Sequence, residues 1–149
     1  MVNRPKAIGT AGETAVVRYL NANGFPSAER AALHGSLDIG DITGTPGVVW
    51  EVKSGQAAET ASDSQVTAWL VETDIERRNR GAGIGVLVLK RKGKGAANAG
   101  AWWAILPAWA FIDLACREPH IIGPNSSAVR MILADAVALL RRGGYGDPL

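Results

Sequence analysis

At 149 residues, 47% of them hydrophobic and with a formal net charge of +2, the chain holds enough apolar material for one domain with its own core and too little length for a second. The lone Cys116 excludes an internal disulfide, and His34 and His120 lie too far apart for metal-ligand spacing, which excludes a structural zinc site. The basic segment from Met1 to Lys6 lacks the apolar run of a signal peptide, and no stretch reaches the roughly 18 apolar residues of a membrane span, so the expectation is a cytoplasmic protein with no membrane partner.

The first periodic segment runs from about Thr10 to Asn23, with Ala15, Val16, Tyr19 and Leu20 at helical spacing and Gly24 placed to stop it. Ala28 to Leu33 reads as a short strand, His34 to Ser36 as a loop, and Asp41-Ile42-Thr43 as the start of a second strand. Thr45-Pro46-Gly47 turns the chain. Val48 to Lys53, rich in β-branched and aromatic residues, is the clearest strand in the sequence. A long helix is predicted from about Ser62 to Asn79, with Val66, Trp69, Leu70 and Thr73 inward and Gly81 beyond its end. Ile84 to Leu89 has the continuous apolar character of a buried strand. Lys90 to Ala99 reads as a flexible loop, Trp102 to Leu106 as a further strand, and Pro107 as the start of a short helix carrying Trp109, Phe111, Ile112 and Leu114. A last helix is predicted from roughly Ser127 to Arg142.

The element order is thus α-β-β-β-α-β-β-α, a mixed α/β layer arrangement with a central sheet of about five strands flanked by helices. One domain spans residues 1–149, with a core over about 8–106 and a helical extension over about 107–142. The charges are unevenly spread. Acids are frequent between Asp38 and Glu76, and Arg77, Arg78, Arg80, Lys90, Arg91, Lys92 and Lys94 follow them. An acidic site beside a basic surface suits a phosphodiester substrate.

Glu51 and Lys53 stand two residues apart on a predicted strand, so both side chains leave one face while Trp50 and Val52 point to the other. A hairpin that pairs Gly44 with Val48 brings Asp41 opposite Glu51 and leaves Gly47 free for a left-handed conformation. Pro46 sits badly in a tight type I turn, so a wider loop with the same register also satisfies the pattern. Asp38 is an odd number of residues from Asp41 and points to the other face of an unbroken strand. A bulge at Gly40 would redirect it, which keeps Asp38 as an additional candidate. Glu13, one turn before Val17 on the first helix, is the remaining acid able to lean over the sheet. Three carboxylates within about 4 Å of one another repel by roughly 4 kcal/mol per pair at an effective dielectric of 20. A cation resolves that repulsion, and oxygen ligands of this kind suit Mg²⁺ or Mn²⁺, which keep several waters and lower the pKa of one. Lys53 beside such an ion is placed to orient water or to stabilise charge on a phosphate.

A strand carrying Glu-Val-Lys is ordinary in exposed sheets. The whole order is less so: Gly9-Thr10-Ala11-Gly12-Glu13 on a helix, then Gly35 to Ile42, then Val49-Trp50-Glu51-Val52-Lys53. Over about Ile8 to Arg91 this order resembles the PD-(D/E)XK nucleases, particularly archaeal-type Holliday junction resolvases and similar phage endonucleases. The resemblance implies a restriction-endonuclease-like core and a Mg²⁺- or Mn²⁺-dependent DNA endonuclease. Glu13 would be the first-helix metal ligand, Asp41 the central ligand, Glu51 the second ligand and Lys53 the catalytic lysine. The carbonyl of Val52 would also hold the metal, and Gln65 matches a glutamine that some members add from the next helix. The family signature commonly opens on Pro-Asp where this chain has Gly40-Asp41, so the choice between Asp38 and Asp41 stays open. The implied partner is branched DNA, cut by a homodimer because two strands must be nicked symmetrically, in DNA recombination or repair in a bacterial, archaeal or phage-infected cell. The alternatives are a restriction-like or repair nuclease of the same fold and a non-catalytic DNA-binding module.

The remaining motifs have plainer readings. Gly9 to Thr14 lacks the lysine and the preceding strand of a phosphate loop. Cys116 has no histidine near it in sequence and reads as a small buried residue. Trp102 and Trp103 have the ring faces for base stacking, but adjacent strand positions send at least one into the core. Lys90, Arg91, Lys92 and Lys94, beside an acidic site, are the expected DNA contacts.

Overall fold

The computed structural model describes residues 3–32, 39–116 and 127–149. Helix α1 (Arg4–Ala22) starts earlier than its apolar periodicity, because Pro5 fits the first turn, where its missing N–H costs nothing. Strands β1 (Glu29–Arg30) and β2 (Ile42–Thr43) are two residues each, and β3 (Val48–Lys53) has the bounds expected of it. A short α2 (Gln56–Glu59) precedes α3 (Asp63–Arg80). The Ser62 hydroxyl caps α3 by accepting from Gln65 N–H at 3.2 Å, and Gly81 ends it at φ +67°. Strand β4 (Ile84–Leu89) is buried throughout. A 3-10 helix (Ala96–Ala101), β5 (Trp103–Pro107), α4 (Ala108–Cys116), β6 (Ala128–Ile132) and α5 (Leu133–Arg142) complete the chain.

The six strands lie in the order β1-β2-β3-β4-β5-β6, with β3 and β4 parallel and every other pair antiparallel. The parallel pair needs a crossover, and α3 supplies it. Alternation along the strands divides the core in two. Trp50, Val52, Val86, Val88, Ala104 and Leu106 pack with Val16 and Leu20 of α1 and Val137 and Leu140 of α5, whereas Leu87, Leu89 and Ile105 meet Val66 and Leu70 of α3. Glu51 and Lys53, paired in register with Leu87 and Leu89, therefore belong to the α3 face.

Four expectations are corrected. Cys116, expected to be buried, is exposed as the last residue of α4. Of the strand expected over Ala28 to Leu33, only Glu29 and Arg30 are paired, and Leu33 lies outside the described residues. The loop after β4 is ordered by Trp102, whose buried indole donates to Lys94 O at 2.9 Å while Ala96–Ala101 coils into the 3-10 helix. The final helix begins at Leu133, and residues 128–132 form a sixth strand instead. Val129, Met131 and Ile132 run alongside β5, and the helical spacing starts only with Leu133, Ala136, Val137 and Leu140. Among the described residues no helix is long and apolar enough to cross a membrane.

The β2–β3 turn is fastened by Thr45, which is fully buried. Its hydroxyl donates to Val48 O at 3.0 Å and accepts from the Trp50 indole N–H at 3.1 Å. Thr45→Val keeps the shape but orphans that indole donor, and is expected to cost about 1 to 3 kcal/mol in urea unfolding. An unchanged unfolding midpoint would show that the turn does not depend on this bridge.

Candidate active site

The hairpin register fixes which acids meet. Ile42 pairs with Trp50, the alignment that brings Asp41 opposite Glu51, and Gly47 takes the left-handed conformation expected of it (φ +82°). Gly40 (φ +93°) bends the chain immediately before Asp41, whose N–H donates to Trp50 O at 2.8 Å. The Asp41 side chain then turns onto β3 itself, where Oδ2 accepts from the Val52 N–H at 2.8 Å. A strand residue directs its N–H and C=O to the same side, so the Val52 carbonyl also faces the Asp41 edge.

Glu51 is only 8% exposed and is answered by Lys53, whose Nζ lies 2.9 Å from Glu51 Oε1. The ammonium also stands 5.6 Å from the Trp69 ring centroid and 3.9 Å from Glu72 Oε2. Burial disfavours the charged form of Lys53, but the Glu51 hydrogen bond and the charges of Glu51, Glu72 and Asp41 outweigh it and raise its pKa. Lys53 therefore stays an ammonium. Trp69 and Glu72 were not anticipated as its neighbours. With Gln65 they follow i, i+4, i+7 spacing on α3, and that stripe was the available signal. Gln65 itself is exposed, and its backbone N–H serves the helix cap.

Asp41 carries the imbalance. Burial, then the neighbouring Glu51 charge and more weakly Glu13, push its carboxyl up to about 7, against the opposing pull of the Val52 N–H and of Lys53. Glu13 comes from the other side of the sheet and is held by Arg30, Nε to Oε2 at 2.8 Å, while Arg30 also reaches Thr10. Among the described residues no three His, Cys, Asp or Glu side chains form a group able to hold a metal, so the expected triad of Glu13, Asp41 and Glu51 is not assembled. The smaller set of Asp41, Glu51 and the Val52 carbonyl is all oxygen, contains two mutually repelling carboxylates, and fits a hard divalent ion that keeps most of its waters. Asp38 lies outside the described residues.

The basic stretch after β4 divides. Lys90 Nζ is paired with Glu59 at 2.6 Å, Arg91 stacks on Trp103, and Lys92 and Lys94 are exposed. No family model matches the chain, and none of the curated proteins or solved structures compared with it reaches significant similarity.

The elevated Asp41 carboxyl sets a pH dependence. Its folded pKa, about 7, stands above the ordinary 3.8, so the folded chain binds the proton more tightly than the unfolded one. Stability is then lost as pH rises between those values. In chelator, Asp41→Asn is expected to flatten this interval and to be more stable than wild type at pH 8 by about 2 kcal/mol, the full shift being discounted for solvent contact. Urea unfolding from pH 4 to 8 measures it, and overlapping profiles for the two proteins would refute the assignment of the repulsion to Asp41.

Proposed function

We propose that the chain is a metal-dependent DNA endonuclease of the PD-(D/E)XK type, built on a restriction-endonuclease-like core. The observation that carries this reading is the junction at the end of β3, where the Asp41 carboxylate sits on the Val52 N–H beside the Glu51–Lys53 pair. A buried acid pair with an adjacent ammonium has little structural use, since apolar residues would fill the space without the desolvation cost. It suits hydrolysis of a charged ester. The Asp41…Glu51-x-Lys53 order, with Glu51 and Lys53 two residues apart on one strand face, matches the order that the family resemblance requires.

Asp41, Glu51 and the Val52 carbonyl would hold a Mg²⁺ or Mn²⁺ ion, which supplies an acidified water and neutralises phosphate charge when bound. Lys53 is the group that meets the substrate. Its ammonium turns from Glu51 toward a non-bridging phosphate oxygen and stabilises the charge that builds there as the water oxygen bonds to phosphorus and the phosphorus–sugar oxygen bond breaks. The water's proton passes to solvent or to the departing sugar oxygen. Trp69 walls the ammonium and limits its freedom, which reduces the entropy lost on binding. The finer assignment, a homodimer acting on branched DNA such as a Holliday junction, follows from the resemblance to resolvases.

Supercoiled, linear and four-way-junction DNA incubated with Mg²⁺, Mn²⁺, Ca²⁺ or chelator test the reading. Cleavage is expected with Mg²⁺ and Mn²⁺, binding with little cleavage in Ca²⁺, and neither cleavage nor tight binding in chelator. Glu51→Ala and Lys53→Ala should each lower the cleavage rate by about 100-fold or more while retaining the fold. The divalent ions should raise the melting temperature of the free wild type, and Glu51→Ala should lose most of that shift. Undiminished cutting by either variant, or robust cutting in excess chelator, would overturn the assignment.

A further inference from the structure

Trp102 and Trp103 part company at the start of β5. Trp102 is 1% exposed and belongs to the α1 side of the core, whereas Trp103 is half-buried on the α3 face. Two guanidiniums lean on the Trp103 ring: Arg91, 4.1 Å from its centroid, and Arg130 of β6, at 5.3 Å. Arg91 is steadied further by a 3.4 Å bond from Nη1 to Ala101 O. Among the described residues neither arginine makes an ion pair, unlike Arg30, Lys53, Arg77, Arg78 and Lys90. Two like charges drawn to one ring repel each other, and no acid among the described residues pairs with them. An anion would.

The location narrows the anion. Lys53 pairs with Leu89 across β3–β4, and Leu89 pairs with Trp103 across β4–β5. Lys53 and Trp103 therefore stand in one row on one face, two strand spacings or about 10 Å apart. Arg91 follows Leu89 by two residues, beyond the same end of the sheet. A DNA strand rises about 3.4 Å per nucleotide along its axis and turns as it rises, so phosphates about 10 Å apart in a straight line are about one to two nucleotides apart.

We propose that Arg91 and Arg130, held on Trp103, form a docking site for DNA backbone phosphates about one to two nucleotides from the phosphate at Lys53. This deepens the nuclease reading and rests on it for its register. A guanidinium already flattened on a ring has lost much of its freedom, and its outer N–H groups still offer a fork to phosphate oxygens. Lys90 carries its own counter-charge in Glu59 and does not take part. The proposed site thus joins two segments, 39 residues apart in the chain, and shares only Arg91 with the continuous run Lys90 to Lys94.

The test is binding of a fluorescent 30-base-pair duplex and of a four-way junction by the full chain in Ca²⁺, across a salt titration, with cleavage followed separately in Mg²⁺ and Mn²⁺. The Arg91→Gln/Arg130→Gln double variant should bind at least about tenfold more weakly at 100 mM salt, with a log K against log salt slope shallower by about 2. The corresponding double change to Lys should retain most of the slope, and Lys90→Gln should keep wild-type affinity. Circular dichroism and melting of each variant check the fold. Wild-type affinity and slope in the double Gln variant would overturn the site, as would a wild type that binds no DNA. A wild type that binds through these arginines but never cuts leaves the site standing and removes the nuclease reading. Cutting together with unchanged binding in the double Gln variant does the reverse.

Discussion

Where β2 leaves β3, the N–H of Val52 loses its strand partner, and the carboxylate of Asp41 takes the vacant place at 2.8 Å. The rest of the site depends on that one bond. An unsatisfied backbone donor at a half-buried edge costs about 1 to 3 kcal/mol, so the chain gains by turning Asp41 inward, yet doing so brings a carboxylate beside the nearly buried Glu51. The hairpin's register favours this, because Ile42 opposite Trp50 carries Asp41, whose N–H bonds Trp50 O, to the edge beside Glu51. Backbone satisfaction is achieved at the cost of acid–acid repulsion.

Lys53 absorbs part of that repulsion, and α3 keeps it there. The helix approaches the sheet closely at Gly85, where a Cβ would stand 3.1 Å from the Thr73 side chain and 3.2 Å from its backbone oxygen. That approach, fixed by the Val66 and Leu70 contacts with Leu87 and Leu89, is what lets Trp69 and Glu72 reach the ammonium. A bulkier residue at position 85 would lift the helix and loosen the cage around Lys53. Packing on the apolar part of the face thus sets the electrostatics of its polar part.

The central elements were legible because their signals are local. β-Branched and aromatic content gave β3, a continuous apolar run gave β4, and helical spacing from Ser62 with Gly81 beyond its end gave α3. The Gly44–Val48 register followed from placing Asp41 opposite Glu51 across the Thr45-Pro46-Gly47 turn. Less was readable where a segment's state depends on a distant partner. Val129 to Ile132 becomes a strand only because β5 offers an edge, and the 3-10 helix forms only because Trp102 donates to Lys94. At the site, strand periodicity sufficed for Glu51 and Lys53. The position of Glu13 did not follow, since nothing in its own helix announces Arg30. Arg130 was invisible for the same reason, being 27 residues from Trp103 in sequence and brought to it only by the β5–β6 pairing.

Charge balance then decides how many acids the site can gather. Glu13 and Glu51 arise on opposite faces of the sheet and sense one another only around the β3 edge, through Asp41. To join the pair, Glu13 would have to abandon Arg30, leaving that guanidinium with Thr10 alone and adding a third negative charge where two already repel. At an effective dielectric of 20 the added Coulomb cost is about 4 kcal/mol per contact at 4 Å, more than an exposed ion pair ordinarily returns. A divalent ion held by Asp41 and Glu51 would change this balance, since its two positive charges would make the approach of Glu13 attractive. Without it, the Arg30 pair is the lower-energy arrangement, and the two-carboxylate site is the form that the protein's own charges favour.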